Sequence, residues 1–414
     1  MYENIAILAA VVLIYSAVAG RVARSRLSGP ILFTAAGLIV GPLGFDMLRL
    51  EIAASDLKVL AEAALAMVLF TDAAHADLGV VRRTVGLPKR LLLIGLPLTI
   101  FFGFLVALPL FPTLDLLAAA LLATLLAPTD AALGAPVVSN ERVPVETREA
   151  LNLESGLNDG ICVPVVMILL DLAIGTEIDH RSFGHAVLVV VEEIGIGLVV
   201  GLALTAIAVG ILRLAARREW ISAHWRHVPV VALAALCFAA AQASGGSGFI
   251  ACFVGGLLFG YLHERPKELL SGAASTGEVL AMLAWVVFGG PLLGRLLAQV
   301  TWPMVIYALL SLTVIRVVPV FLSLSGTGMS VGNKLFIGWF GPRGLASIVF
   351  GVIVFDAGIP GRETIAVAVV LTVLLSIIAH GATANPLIAT LSAKRRPDSR
   401  RRRSDGSLGA SRSP

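Results

Sequence analysis

The sequence predicts an all-α polytopic membrane protein, and three observations support that fold class. Of the 414 residues, 57% are hydrophobic and only 14% are charged, whereas about a quarter of the residues in soluble domains are charged. The hydrophobic residues fall into segments of about 20, the length that an α-helix needs to cross a bilayer. Lys and Arg residues gather in alternate connections between these segments, as expected for cytoplasmic loops.

The apolar segments can be followed one by one along the chain, and their number sets the expected architecture. We count thirteen, which predicts about 13 transmembrane helices and a partner in the lipid bilayer. Several are short or interrupted by Gly and Pro. Their approximate limits are 3–20, 29–44, 57–74, 91–110, 114–138, 149–172, 186–213, 228–243, 248–262, 276–296, 302–324, 332–355 and 363–391.

The basic residues predict the orientation of these helices. With the first connection in the cytoplasm, 24 of the 31 Lys and Arg residues lie inside and 5 outside, so we expect a multi-pass protein of the cell (inner) membrane with its N-terminus outside and its C-terminus in the cytoplasm. The tail at 392–414 is basic and poor in apolar residues, which predicts a disordered cytoplasmic segment. Because the basic residues lie in loops and in this tail, the net charge of +4 indicates no nucleic-acid partner.

Two predicted spans are interrupted in the same way. The fifth reads LLATLLAPTDAALGAPVV and the twelfth LFIGWFGPRGLASIVFGV, and each has Pro and Gly at mid-span beside a charged residue, Asp130 or Arg343. Their corresponding positions predict a transmembrane domain over 1–391 that consists of two inverted repeats, about 1–172 and 228–391. The seventh predicted span connects the two repeats. Paired discontinuous helices of this kind indicate the binding site of a transporter.

Charged residues inside spans are the strongest sign of a site. Each costs roughly 2.5–3.5 kcal/mol at mid-bilayer, so five of them would cost on the order of 15 kcal/mol if left unpaired. We therefore expect them to meet around a polar cavity. They are Asp130, Glu154, Asp159, Arg316 and Arg343.

The spacing of the polar residues in the sixth span predicts a cation site. Ser155 and Asp159 are four residues apart and share a helix face, as do Glu154 and Asn158. Thr129, with Asp130 beside it, can add a hydroxyl and backbone carbonyls freed by the break in the fifth span. Hard monovalent cations prefer such oxygen ligands to His or Cys, so we expect no resident metal or other cofactor.

Competition for one carboxyl group predicts a mechanism. Asp159, removed from water, can hold a proton or a cation but rarely both. If Glu154 pairs with an arginine, it remains an ionised structural charge and leaves Asp159 as the exchanging group. The residues alone leave open whether that arginine is Arg316 or Arg343.

Three motifs in this order, APTD, NLESGLNDG and GWFGPRG, together with the segment IRVVPVFLSL, resemble the cation:proton antiporter-1 family, the NhaP-type sodium/proton exchangers. The resemblance covers nearly the whole membrane part. It implies a 13-helix inverted-repeat fold with a dimerisation domain and a moving core of two crossed discontinuous helices. It also implies a homodimer, without enzymatic activity, that exchanges Na⁺ or Li⁺, and potentially K⁺, for protons.

The same resemblance assigns roles to the residues of the transport site. Asp159 would bind the cation and the proton in turn, with Ser155 and Thr129 as further ligands of Na⁺. Asn158 stands where electrogenic relatives have a second Asp, which implies electroneutral exchange.

The resemblance also implies structural roles for the charged residues. Glu154 would pair with Arg316. Arg343 would stabilise the break of the twelfth span, and Asp130 that of the fifth.

Two other function classes are compatible with parts of the pattern. Asp130 and Asp159 could form the dyad of an intramembrane aspartyl protease, but a Gly-x-Gly-Asp context is missing. A symporter or channel on a similar fold would not need a titratable Asp among acidic ligands.

Residues near the ends of the spans receive less specific interpretations. The segment FTDAAHADL after the third span differs from the acidic, glycine-rich stretch of many relatives, and we interpret Asp72 and His75 as an interfacial cap rather than as part of a cytoplasmic funnel. His380, in the last span, is interpreted as a hydrogen-bonded packing residue.

Overall fold

The computed structural model describes residues 2–22, 28–48, 54–75, 86–178, 183–262 and 266–407. In these ranges the chain is helical, with no β-strand. The helices, with broken ones split into a and b, are α1 (Tyr2–Val22), α2 (Gly29–Val40), α3 (Ala54–His75), α4 (Leu87–Leu110), α5a (Leu116–Leu125), α5b (Ala131–Val138), α6 (Val145–Ile178), α7 (Phe183–Arg217), α8 (Pro229–Ala243), α9 (Gly248–Leu262), α10 (Pro266–Val287), α11a (Trp302–Leu312), α11b (Val314–Ser323), α12a (Val331–Trp339), α12b (Leu345–Asp356) and α13 (Arg362–Ser407).

These helices confirm the predicted fold class. Within the described residues, seven are long and apolar enough to cross a membrane and five more are apolar but shorter. Each predicted apolar segment coincides with one helix or with one broken pair. The number of 13 crossings, the orientation of the termini and the inverted repeat remain predictions.

Both predicted interruptions are present. Between α5a and α5b, residues 126–130 leave the helical path, and residues 340–344 do so between α12a and α12b. Each gap contains a proline, Pro128 or Pro342, which lacks the N–H that would continue an α-helix. The first halves, α5a and α12a, each follow an N-cap residue. Asp115 accepts from Ala118 N at 2.7 Å, and Ser330 accepts from Asn333 N at 3.3 Å.

Glycine allows close packing of α3 against its neighbours. A Cβ at Gly256 of α9 would overlap with the Phe70 carbonyl of α3, and one at Gly260 with the Ala74 carbonyl. Such backbone contact is typical of membrane helices, whose association depends on tight packing rather than on a hydrophobic driving force. The opposite side of α3 packs against α12b, where Lys58 and Asp356 form an ion pair of 2.8 Å.

The last helix extends beyond the predicted span. α13 continues to Ser407, over residues 392–407 that the sequence analysis predicts to be disordered. The disorder of the tail over 392–414 stays a prediction. Lys and Arg, in which the segment is rich, are good helix formers.

Helices packed around the two breaks build the site. α5a packs against α4 and α6, while α13 packs against both α12b and α5a. Apolar side chains such as Leu121, Leu125 and Val349, none of them exposed, separate the polar groups at the breaks from the lipid-facing surface. The breaks thus lie inside the protein, where unpaired backbone groups need protein partners.

Candidate functional site

The two broken helices cross where Asp130 meets residues 342–345. The Asp130 N–H donates to the Pro342 carbonyl at 2.8 Å. Its Oδ2 accepts from Leu345 N at 2.8 Å and its Oδ1 from Leu133 N at 2.9 Å. One carboxylate therefore caps the N-termini of both α5b and α12b, where the helix dipole favours a negative charge.

Arg343, at the break of α12, hydrogen-bonds to the break of α5. Its Nη1 donates to the carbonyls of Ala127 at 2.7 Å and Pro128 at 3.2 Å, just beyond the C-terminus of α5a. The side chain is completely buried. The guanidinium thus pairs with carbonyl groups that the break leaves without helical partners, and each break is held by a charged residue from the other.

Glu154 and Arg316 form a buried ion pair between α6 and α11b. Arg316 Nη1 lies 2.6 Å from Glu154 Oε1, and Nη2 donates to Oε2 at 2.7 Å. Both side chains are 1% exposed. The pair thus combines one charge-assisted hydrogen bond with a second close contact between the charged groups. Of the two arginines that the sequence left open, the structure pairs Arg316 with Glu154 and directs Arg343 to the α5 break.

A hydroxyl and amide network joins the α5 break to α6. Asn158 Nδ2 donates to Thr129 Oγ1 at 2.7 Å, and Thr129 Oγ1 lies 2.9 Å from Ser155 Oγ. Because Thr129 accepts from Asn158, its own proton is free to reach Ser155. All three side chains are buried, so the network is shielded from the bulk solvent.

Asp159 lies one helical turn beyond Ser155, on the same face of α6. The residue is 8% exposed. Its Oδ1, like Oδ1 of the neighbouring Asn158, is buried and accepts no hydrogen bond from any residue that the structure describes. Buried oxygens in proteins are almost always paired, so the unpaired Asp159 and Asn158 oxygens, on a helix turn that also carries Ser155, are candidates to bind a small ligand.

The structure also brings Asp72 to this region, which the sequence analysis did not predict. Its Cβ lies 3.8 Å from where a Cβ on Gly156 of α6 would stand. The interfacial cap stays a prediction for Asp72, whose side chain α3 turns toward α6.

Other ionisable residues lie apart from this cluster. His75 is exposed, and its Nδ1 lies 2.7 Å from the Thr71 carbonyl of its own helix. His380 is buried against the α12 break. In the described part of the chain, no three His, Cys, Asp or Glu side chains are grouped as a metal site would require.

Comparison with known proteins gives consistent relatives. A family model with the description "Sodium/hydrogen exchanger, transmembrane" matches residues 7–390. The K(+)/H(+) antiporter NhaP2 of Shewanella sp. (strain ANA-3) is 26% identical over 394 residues, which cover 91% of this chain and 64% of that protein. The Na(+)/H(+) antiporter of Schizosaccharomyces pombe is 25% identical over 265 residues, 60% of this chain and 56% of that protein.

A solved structure has a similar fold. The sodium proton antiporter MjNhaP1 from Methanocaldococcus jannaschii at pH 8 superposes with a TM-score of 0.74 and 22% identity, over 94% of this chain and 99% of that one. At this identity the likeness describes the fold alone. The chain spans about 64% of the length of the NhaP2 relative.

Proposed function

The chain belongs to the transmembrane sodium/hydrogen exchanger family, and from this premise we propose that it is a secondary antiporter that exchanges a monovalent cation for protons. The protein is a multi-pass membrane protein. Relatives are named as K(+)/H(+) and Na(+)/H(+) antiporters. Sodium, lithium and potassium are therefore the cations to test, with sodium the first choice.

The observation that carries this proposal is the pair of unpaired oxygens at Asp159 and Asn158. Together with the hydroxyls of Ser155 and Thr129, they supply the neutral and anionic oxygen ligands that an alkali cation prefers. A proton on Asp159 would remove the charge that attracts the cation. We infer that proton and cation occupy this carboxyl group in turn, as antiport requires.

The neighbouring charges support a single exchanging group. Glu154 is neutralised by Arg316, and Asp130 is engaged by backbone N–H groups of two helices. Asn158 carries no charge. One carboxyl group that trades one proton for one cation would move no net charge, so we propose electroneutral exchange. Its test is the rate of exchange with and without a membrane potential, which we expect to be equal.

The engagement of Asp130 argues against the alternative of an aspartyl protease. Both oxygens of its carboxylate accept backbone hydrogen bonds. A catalytic dyad needs two carboxyl groups that share a proton and face a substrate. Asp130 is instead committed to capping two helices.

We further propose a homodimer in the inner membrane, with the N-terminus outside and the C-terminus in the cytoplasm. The bias of basic residues toward one set of loops supports the orientation. α1 buries none of its side chains within the chain, and Leu13 and Ile14 are 71% and 66% exposed. These exposed side chains are available to lipid or to a second copy, and native mass measurement in detergent would distinguish a dimer from a monomer.

The proposed function is tested with purified protein in liposomes loaded with a pH-sensitive dye. Addition of Na⁺, Li⁺ or K⁺ should dissipate an imposed pH gradient, and Asp159→Asn should abolish this for all three cations. The matched control is Asp171→Asn, on the same helix twelve residues further along, which should exchange like the wild type. If Asp159→Asn folds and exchanges normally, the proposed site is wrong.

A further inference from the structure

Three polar side chains of α13 face the break of α12. Ser376, His380 and Thr383 are four and three residues apart, which places them on one helix face. All three contact residues at the ends of the break: Ser376 Oγ accepts from Arg343 N at 2.7 Å, His380 Nε2 lies 2.8 Å from the Trp339 carbonyl, and Trp339 Nε1 donates to Thr383 Oγ1 at 2.9 Å. We name this set the α13 polar stripe.

Two of these contacts are with backbone atoms that the break releases from helical pairing. Trp339 is the last residue of α12a, and its carbonyl has no residue four positions on in the same helix. The N–H of Arg343 lies in the extended segment before α12b. Inside a membrane such groups need protein partners. Ser376 accepts from the Arg343 N–H, and the Trp339 carbonyl, which accepts from Gly341 N at 2.8 Å, gains a second contact in His380.

The two residues also hydrogen-bond to each other, which makes the contacts cooperative. Ser376 Oγ lies 3.1 Å from His380 Nδ1. His380 Nδ1 also lies 2.9 Å from the Ser376 carbonyl of its own helix, to which it donates when the ring proton is on Nδ1. With the proton on Nε2, the Arg343 N–H donates to Ser376 Oγ, the Ser376 hydroxyl donates to Nδ1, and Nε2 donates to the Trp339 carbonyl. His380 is 2% exposed and Ser376 is fully buried. The imidazole therefore joins both sides of the break through one continuous chain of hydrogen bonds.

This chain extends to the proposed cation site. Ser376 accepts from the backbone N–H of Arg343. The side chain of Arg343 donates to the carbonyls of Ala127 and Pro128. Thr129 follows Pro128 in the chain, and its hydroxyl is hydrogen-bonded to Asn158 and Ser155. The position of Thr129 thus depends on where Arg343 lies, and Arg343 is held from α13.

We propose that His380 is a positioning residue of the transport site, which acts through Trp339, Ser376 and Arg343 on the placement of Thr129. This rests on the proposed function. The role goes beyond that of a packing residue, because the contacts end on the main chain of the break rather than on neighbouring side chains. Loss of the imidazole should change the affinity for the cation more than the maximal rate.

The test compares variants of His380 in liposomes that contain the purified protein. His380→Gln can place an N–H near the Nε2 position, whereas His380→Asn is too short to do so. We expect the half-maximal cation concentration to rise about tenfold in His380→Asn and His380→Ala, and less than about threefold in His380→Gln, because tenfold in affinity corresponds to about 1.4 kcal/mol, the scale of one buried hydrogen bond.

Thr383→Val is the control, since its hydroxyl bonds the indole of Trp339 and the Ala379 carbonyl of its own helix rather than the backbone of the break. It should leave the half-maximal concentration within about twofold of the wild type. The inference is overturned if His380→Asn keeps wild-type affinity, or if His380→Gln and His380→Asn lose it equally. A wild-type protein that exchanges no cation would instead refute the proposed function, so the two failures are distinguishable.

Discussion

Asp130 and Gly344 touch: a Cβ at residue 344 would overlap with the Asp130 carboxylate. The carboxylate occupies the space of the missing side chain in order to reach Leu345 N at 2.8 Å. Gly344 is thus the residue that allows the two broken helices to cross so closely. The charge of one helix can cap the other only because this position has no side chain.

Gly344→Ala should therefore destabilise the protein, because the new methyl group displaces the Asp130 carboxylate from the N-terminus of α12b. Overpacking of this kind costs about 1–3 kcal/mol, and the loss of the cap adds about 1 kcal/mol. Thermal unfolding in detergent measures the effect. Gly351→Ala is the control on the same helix, since its Cβ would meet Val369 Cγ1 at an ordinary 3.4 Å. Equal stability of the two variants would contradict this account of the crossing.

Arg316→Ala should reduce the amount of folded protein rather than change cation selectivity. It leaves the Glu154 carboxylate buried without its partner, which costs about 3–5 kcal/mol. Yield and melting temperature in detergent measure the loss. Arg295→Ala removes an exposed arginine near the end of the same helical run as α10 and should change neither. A stable Arg316→Ala protein with normal exchange would mean that the ion pair is dispensable.

Thr129→Val should weaken cation binding with little loss of folded protein. The hydroxyl both accepts from Asn158 and bonds Ser155, so its removal disorders two expected ligands. We expect about a tenfold rise in the half-maximal cation concentration. The matched control is Thr124→Val on α5a, whose hydroxyl bonds only the Ala120 carbonyl of its own helix. Initial rates of exchange over a series of cation concentrations separate the two variants.

Proton concentration should compete with the cation at the site. A protonated Asp159 cannot hold a cation, so a fall of one pH unit should raise the half-maximal cation concentration by up to about tenfold and leave the maximal rate at saturating cation unchanged. Rates measured from roughly pH 6 to 8 in liposomes test this. A maximal rate that falls while the half-maximal concentration stays constant would indicate separate proton and cation sites.

Patterns local in the sequence predict much of this structure. The helix breaks follow from APTD and GPRG, because proline removes a backbone donor wherever the chain folds. The face shared by Ser155 and Asp159 follows from helical periodicity alone. Both features depend on neighbours in sequence, and both are present in the structure.

Contacts between distant helices could not be predicted in the same way. Two intramembrane arginines are available to Glu154, and spacing along the chain does not say which of them lies opposite; only the resemblance to the antiporter family favours Arg316. Asp72 has the flanking residues of a helix end, yet α3 packs so that it faces α6. His380 has an ordinary apolar neighbourhood in the sequence, although it holds the α12 break.

Composition, apolar length and spacing thus establish a membrane-spanning helical chain with two broken helices and an acidic site on the sixth. The partner of each buried charge was decided by packing, because pairing across 162 residues, as between Arg316 and Glu154, depends on which faces meet when helices associate. In a membrane those faces are selected by the fit of small residues and by the need to pair every buried polar group. Both are properties of the assembled bundle and not of any one segment.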